Sequence, residues 1–200
     1  MKNKILSIVI IILAMTGITI QYSQQTSDFY RFNFFTYYTI QTNILVVLVC
    51  IYGLIKNRKG KIYNIILTGV TVYISITGLV FHLLLNDVYQ PSGINGFANH
   101  CVHTFVPILT LVLWFINSNK IIIKRTNLLY FSVYPFIFLA SSLIRGHFKG
   151  YYPYWFLNPT WKGVGSYFGV ARISFLILLG FIVLGYTVVT INNRLVRKKL

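Results

Sequence analysis

Six long apolar stretches dominate this sequence and restrict the chain to very few folds. They are predicted to span residues 5–21, 34–55, 63–85, 98–117, 127–145 and 167–191. A helix that crosses a bilayer needs about 20 mainly apolar residues, which these stretches approach or exceed. Their apolar residues run continuously instead of alternating, which favours helices over the strands of a membrane barrel. The sequence therefore predicts an all-α fold in which residues 1–200 form one polytopic bundle of six transmembrane helices.

Charged residues are too few to cover a surface that faces water. Only 10% of the 200 residues are charged, and the carboxylate side chains are Asp28 and Asp87 alone. Soluble domains average about 25% charged residues. The composition therefore excludes an ordinary soluble domain and agrees with a bilayer as the solvent.

The first apolar stretch has two interpretations. Lys2 and Lys4 precede it, as in a cleaved signal peptide. No small-residue cleavage site of the A-x-A type follows it. We therefore expect this stretch to remain as the first membrane helix.

The basic residues predict the orientation of the bundle. Thirteen of the eighteen Lys and Arg residues lie before the first span, between spans two and three, between spans four and five, or after span six. With six spans these segments share one side of the membrane, which the positive-inside rule assigns to the cytoplasm. Both termini are then cytoplasmic. The thirteen residues are Lys2, Lys4, Lys56, Arg58, Lys59, Lys61, Lys120, Lys124, Arg125, Arg194, Arg197, Lys198 and Lys199.

The net charge of +16 points to lipids rather than nucleic acid. Basic residues next to a membrane are attracted to anionic headgroups. Here they are spread over short connections and form no patch with interleaved aromatic residues, as a nucleic-acid interface would. Membrane lipids are therefore the expected partners, and nucleic acid is not.

Polar residues gather at the opposite, extracytoplasmic ends of the predicted spans. Ionisable groups near hydrocarbon are costly, which makes them functional candidates. Helical spacing places Thr36, Thr39 and Asn43 on one face of the second span. The same reasoning places His100 and His103 on one face of the fourth span. We predict that these faces line one outward-opening pocket, to which four more residues can contribute: His82, Asp87, Asn99 and Arg145.

Three blocks of the sequence carry a family resemblance. They are FFTYYTIQTN (34–43), NHCVHTFVPIL (99–109) and YYPYWFLNP (151–159). Together they resemble a bacterial family of six-helix membrane proteins of about this length. More distantly they resemble the animal androgen-induced protein and androgen-dependent TFPI-regulating protein family. Members of that animal family are intramembrane threonine hydrolases that cleave fatty acid esters of hydroxy fatty acids.

The resemblance implies a function and two catalytic residues. It places the nucleophile at Thr36 in the first block and the catalytic histidine at His103 in the second. The chain would then be a hydrolase without a cofactor in a bacterial plasma membrane. Its substrate would be a lipid ester or another hydrophobic molecule.

The chemistry of the residue types is compatible with this role. A threonine hydroxyl is a weak nucleophile until a nearby base takes its proton, and a histidine such as His103 can do so. The group that orients the histidine stays open between Asp28, Asp87, His100 and a backbone carbonyl. Donors to the oxyanion could come from four residues that sequence cannot rank: Tyr38, Asn43, Asn99 and Arg145.

Two other functions fit the sequence. His82, His100 and His103 could hold a zinc ion with an open position for water, although no H-E-x-x-H pattern is present. A non-enzymatic lipid-binding, small-molecule-binding or transport protein is the third possibility. Polar faces running through the whole bilayer would indicate transport, whereas here the polar groups cluster at one end.

Overall fold

A computed structural model describes residues 2–57, 60–117 and 119–198, and these residues contain helices and no strand. The predicted all-α fold is therefore confirmed. The helices are α1 (Lys2–Ser23), α2 (Asp28–Phe34), α3 (Tyr38–Ile55), α4 (Lys61–Val80), α5 (Gly93–His100), α6 (Val106–Ile116), α7 (Asn127–Lys149) and α8 (Tyr167–Arg197). One π-helical turn, Phe81–Leu85, extends α4, and a second, Cys101–Phe105, joins α5 to α6. Residues Trp155–Leu157 form a 3₁₀ turn.

Six of these helical segments are long and apolar enough to cross a bilayer, which fits a multi-pass integral membrane protein. The second predicted span is wrong at its start. Residues 28–34 form the separate helix α2, whose first turn is capped by the Ser27 hydroxyl accepting from the Tyr30 amide. Tyr37 is then extended, so the membrane helix begins at Tyr38 instead of Phe34. The six spans are Asn3–Ser23, Tyr38–Ile55, Lys61–Leu85, Gly93–Ile116, Asn127–Lys149 and Tyr167–Arg197.

The core is built around α4. This helix packs against α3, α6 and α8, while α1 packs against α3, α5 and α6. Ile10 and Ala14 of α1 are fully buried, so the first span belongs to the packed bundle. The helices α7 and α8 form the periphery and expose rows of large apolar side chains, among them Phe136 and Phe175.

The first and last described residues, Lys2 and Lys198, lie at one end of the bundle, since six spans lie between them. At that end the Asn193 side chain clamps the α6–α7 connection, accepting from the Ile123 amide and donating to the Ile123 carbonyl. Ten of the thirteen basic residues that predict the orientation belong to this end. The other three lie outside the described residues: Arg58, Lys59 and Lys199. The cytoplasmic assignment of this end stays a prediction.

We call the opposite end the loop end; residues 24–37, 86–92 and 150–166 form it. Here the His103 segment departs from the α-helix. The amide of Val106 donates to the carbonyl of Cys101, five residues earlier. Pro107 has no N–H and cannot bond to the carbonyl of His103, which loosens the helical ladder at this point. Such π-turns occur frequently at functional sites.

Small residues bring the spans together at several positions. A Cβ atom on Gly69 would lie 2.9 Å from Phe131, and one on Gly78 would lie 3.0 Å from the His103 carbonyl oxygen. These sites have room only for hydrogen, as packing between membrane helices favours. Gly180 in contrast has nothing within 4 Å, so it makes no such contact.

Gly17 provides a test of this packing. A Cβ atom there would lie 2.7 Å from Val102 Cγ1 and 2.9 Å from Cys101 Cβ, beside the π-turn. We expect Gly17→Ala to destabilise the protein by about 1–3 kcal/mol, as overpacking does. Gly180→Ala is the control, and it should be neutral or stabilise by up to about 1 kcal/mol, because alanine is the better helix former. Thermal unfolding in detergent measures both, and equal melting temperatures for the two variants would contradict this packing.

Candidate functional site

The centre of the site is a hydrogen bond between two buried side chains from distant parts of the chain. Thr39 Oγ1 lies 3.1 Å from His103 Nε2. Thr39 is the second residue of α3, and His103 lies in the middle of the π-turn between α5 and α6. Their side chains are 6% and 8% exposed, so bulk water reaches them only sparingly. A hydroxyl and an imidazole at this separation have the geometry that a nucleophile and its general base require.

The surrounding atoms fix which nitrogen of His103 carries the proton. His103 Nδ1 lies 3.1 Å from the carbonyl oxygen of Asn99. A carbonyl can only accept, so Nδ1 holds a proton. In the neutral ring Nε2 is then the acceptor, and the Thr39 hydroxyl donates to it. The ring of Phe81 stacks on the imidazole with centroids 4.0 Å apart, which holds the ring in this orientation.

Tyr154 completes the hydrogen bonding of Thr39. Its Oη lies 3.2 Å from Thr39 Oγ1 and accepts from the Thr39 backbone N–H, also at 3.2 Å. Because the Thr39 proton is directed at His103, the Tyr154 hydroxyl is the donor to Thr39 Oγ1. Burial raises the pKa of Tyr154 to about 12, although its hydrogen bonds with Thr39 act in the opposite direction. The phenol therefore keeps its proton at neutral pH.

The start of α3 favours negative charge beside Thr39. The first backbone N–H groups of a helix have no partner within the helix, and the helix dipole is positive at this end. The Thr39 N–H is one of these groups, and its partner is the Tyr154 side chain. An oxyanion formed next to Thr39 would meet this N–H and the Tyr154 hydroxyl as its nearest donors.

Asn43 links the two halves of the site. Its Nδ2 donates to the Thr39 carbonyl at 2.8 Å and to the Val102 carbonyl at 3.1 Å. The second bond joins α3 to the π-turn that carries His103. Asn43 is fully buried and acts as support for the site.

Thr36, the threonine predicted as the partner of His103, forms a different hydrogen bond. It lies in the turn between α2 and α3, and its hydroxyl donates to the Asn33 carbonyl at 2.6 Å. The structure places Thr39, three residues later, against the imidazole instead. The apolar pattern predicts one helix over residues 34–55, whereas the turn at 35–37 removes Thr36 from the face that meets His103.

The remaining predicted residues divide into uncharged or histidine residues near the pair and charged residues farther away. Asn99 supports His103 through its backbone carbonyl. His82 and His100 lie nearby and contact the same hydroxyl, Thr104 Oγ1, at 3.0 Å and 3.4 Å. They therefore do not touch Thr39.

The charged candidates lie away from the pair. Asp87 is an exposed residue of the loop after the first π-turn. Asp28 faces Arg31 at 3.6 Å on the surface of α2. Arg145 Nη1 is buried on α7, and its charge acts on Tyr151. The orienting group of His103 is thus a carbonyl, one of the options that the sequence left open, and neither aspartate takes that place.

The described residues do not assemble the zinc site considered from the sequence. Within 2–57, 60–117 and 119–198, no three His, Cys, Asp or Glu side chains are grouped so that they could hold a metal ion. Both ring nitrogens of His103 are directed at Asn99 and Thr39. His82 and His100 instead share the Thr104 hydroxyl.

Two cavities meet at Thr39. The first, about 540 Å³, opens at the loop end; we call it the polar chamber, and its polar lining includes Gln21, Gln24, Gln25, Tyr37, Tyr89 and Asn95. The second, about 410 Å³, is bounded by α3, α4, α7, α8 and the loop that carries Tyr154; we call it the apolar groove, and its lining includes Phe138, Leu139, Val170, Phe175, Leu178 and Phe181. Thr39, Leu85 and Tyr154 line both cavities. A cavity is therefore present at the loop end with Thr39 and His103 on its wall. The other seven residues predicted to line such a pocket, Thr36, Asn43, His82, Asp87, Asn99, His100 and Arg145, do not line it.

Tyr154 is the functional candidate that sequence reasoning missed. Aromatic residues in a loop between spans are typical of the membrane interface, and that interpretation covered the whole 151–159 block. The available signal was the position of this tyrosine in one of the three blocks that carry the family resemblance.

Comparisons with protein-family models, with curated proteins and with solved structures find no match for this chain.

Proposed function

We propose that this membrane protein hydrolyses lipid esters, with Thr39 as the nucleophile and His103 as the general base. The observation that carries the proposal is the 3.1 Å contact between Thr39 Oγ1 and His103 Nε2, located where a polar and an apolar cavity meet. The proposal moves the nucleophile from Thr36 to Thr39 and keeps the predicted histidine.

The steps follow from the hydrogen bonds around Thr39. Thr39 Oγ1 attacks the ester carbonyl carbon while its proton passes to His103 Nε2. The Asn99 carbonyl stabilises the resulting imidazolium through Nδ1, in the place that a carboxylate occupies in a triad. The Thr39 N–H and the Tyr154 hydroxyl stabilise the oxyanion. The C–O bond to the alcohol then breaks, and the alcohol oxygen takes the proton from His103.

Water completes the reaction. A water molecule gives a proton to His103 and attacks the acyl-threonine carbonyl carbon. When that intermediate collapses, Thr39 Oγ1 leaves and recovers the proton, and the fatty acid is released. The products are one carboxylic acid and one alcohol, and no cofactor is needed.

The cellular setting follows from the resemblance and from the charge pattern. A bacterial plasma membrane is the setting that the resemblance of the three sequence blocks implies. The positive-inside pattern puts the loop end on the extracytoplasmic side. The lipid ester would then enter from the outer leaflet.

An ester assay on the purified protein tests the proposal. We expect the protein in lipid nanodiscs to hydrolyse p-nitrophenyl laurate and to be inactivated by a fluorophosphonate that reacts with activated hydroxyls. A protein that shows neither turnover nor labelling, while its melting curve shows it folded, would contradict the proposal.

Tyr154→Phe tests the proposed oxyanion donor. The change removes one hydroxyl and keeps the ring packing on Phe156, where the two centroids are 5.1 Å apart. We expect kcat for p-nitrophenyl laurate to fall about 10²–10³-fold, the usual effect of removing one such donor, with KM little changed. Tyr130→Phe, at an exposed position on α7, is the matched control and should keep the wild-type rate. A rise in KM with an unchanged kcat would assign Tyr154 to substrate binding instead.

A further inference from the structure

The two cavities on either side of Thr39 differ in chemistry. The apolar groove is walled mainly by aliphatic and aromatic side chains of α7 and α8. Phe136 and Phe175 line it and are 67% and 64% exposed on the outside of the bundle, so the groove opens on the lipid-facing surface. An acyl chain can pass from the bilayer through this opening to Thr39 without crossing water. The groove therefore accommodates the acid portion of an ester.

The polar chamber meets the groove at Thr39. An ester bound with its acyl chain in the groove would therefore have its alcohol portion in the chamber. Ten of the chamber's eighteen lining residues carry a carboxamide, hydroxyl or phenol group, including Gln21, Gln24, Gln25 and Tyr89. No Lys, Arg, Asp or Glu belongs to its lining among the described residues. Amides and hydroxyls both donate and accept hydrogen bonds, and they match the hydroxyl groups of a sugar or polyol. A carboxylate or phosphate would find no opposite charge there, and its desolvation would be uncompensated.

Two buried atoms of the chamber lack protein partners. Asn95 Oδ1, an acceptor, and Trp155 Nε1, a donor, are each shielded from solvent with no hydrogen bond to the described residues. Both residues line the chamber. Buried polar groups are nearly always satisfied, so a ligand with both donors and acceptors would fit this pair. A hydroxyl-rich, uncharged group has this property.

We propose that the substrate is an acyl ester of a neutral polyol or sugar, with the acyl chain in the apolar groove and the polyol in the polar chamber. This inference rests on the proposed function. The new bond forms between Thr39 Oγ1 and the acyl carbon, and the bond from that carbon to the polyol oxygen breaks. That oxygen receives the Thr39 proton through His103. Water then releases the fatty acid, and the other product is an uncharged polyol.

A matched pair of esters tests the chemistry of the alcohol portion. One is the lauroyl monoester of glycerol, and the other is the lauroyl monoester of glyceric acid, in which one CH₂OH is replaced by a carboxylate. We expect kcat/KM for the glycerol ester to be at least about tenfold higher, a small part of the cost of burying an unpaired carboxylate. Hydrolysis of p-nitrophenyl laurate is measured beside them as the general assay.

A charge placed in the chamber should reverse the preference. Asn95→Lys adds a cation to the lining and should lower the glycerol-to-glycerate ratio several-fold. Ile94→Lys is the control, because that neighbouring residue of α5 is 64% exposed and does not line the chamber. It should leave the wild-type ratio unchanged.

The outcomes separate the two proposals. If the wild-type protein hydrolyses p-nitrophenyl laurate but shows no preference for the glycerol ester, the inference fails and the hydrolase function stands. If Ile94→Lys and Asn95→Lys change the ratio equally, the discrimination lies outside the chamber and the inference also fails. If no ester is hydrolysed and no fluorophosphonate label is found, both proposals fail.

Discussion

Thr39→Ala will lower ester hydrolysis by at least about three orders of magnitude, because loss of a nucleophile removes the covalent step. The substitution deletes the hydroxyl that donates to His103 and accepts from Tyr154. Thr36→Ala deletes a hydroxyl whose one partner among the described residues is the Asn33 carbonyl in the adjacent turn, and it should keep most of the activity. The pair of variants thus separates two threonines three residues apart.

The measurement is kcat/KM for p-nitrophenyl laurate with melting curves recorded alongside. Thr39→Ser supplies a further check, because it retains a hydroxyl and should keep measurable turnover. If Thr36→Ala were inactive and Thr39→Ala active, the nucleophile would be at the position that the family resemblance first implied.

His103→Gln will reduce hydrolysis by a similar factor, since catalytic residues that act as a unit give similar losses when removed singly. Glutamine retains hydrogen-bonding capacity in the site but cannot serve as a base near neutral pH. His100→Gln is the matched control, because His100 is exposed and contacts Thr104 instead of Thr39. We expect that variant to remain active within a few-fold of wild type.

Imidazole, added as a replacement base, gives this prediction a second readout. Imidazole in the buffer should partly restore turnover in His103→Ala, which leaves space beside Phe81, and should not restore it in Thr39→Ala. A His103→Gln protein with the wild-type rate would show that the Thr39 hydroxyl needs no help from this ring.

Hydropathy was sufficient to predict the six-helix fold. Long apolar runs with few charges have one stable solution in a bilayer, so both ends of five of the six spans were placed within six residues of the observed helix ends. The second span failed at its start because residues 28–37 have no proline or glycine to mark the break. The helix cap at Ser27 and the extended backbone at Tyr37 depend on packing that cannot be predicted from the spacing of apolar residues.

The candidate site was predictable in part, for a related reason. His103 could be found because two histidines, an amide and a proline within nine residues are unusual in a membrane helix. Helical spacing could not separate Thr36 from Thr39, because a continuous helix would place both on one face, and the family resemblance placed the nucleophile at Thr36. Only the turn at 35–37 distinguishes them. Tyr154 reaches the site from a loop about 115 residues away, and no local pattern predicts such a contact.

Peptide mapping after fluorophosphonate labelling tests the central claim most directly. The labelled protein is digested, and mass spectrometry locates the phosphonyl group along the 34–43 segment. The account predicts that the label is on Thr39 and that it disappears in His103→Gln. A label on Thr36 or on another residue, with Thr39 unmodified, would contradict it.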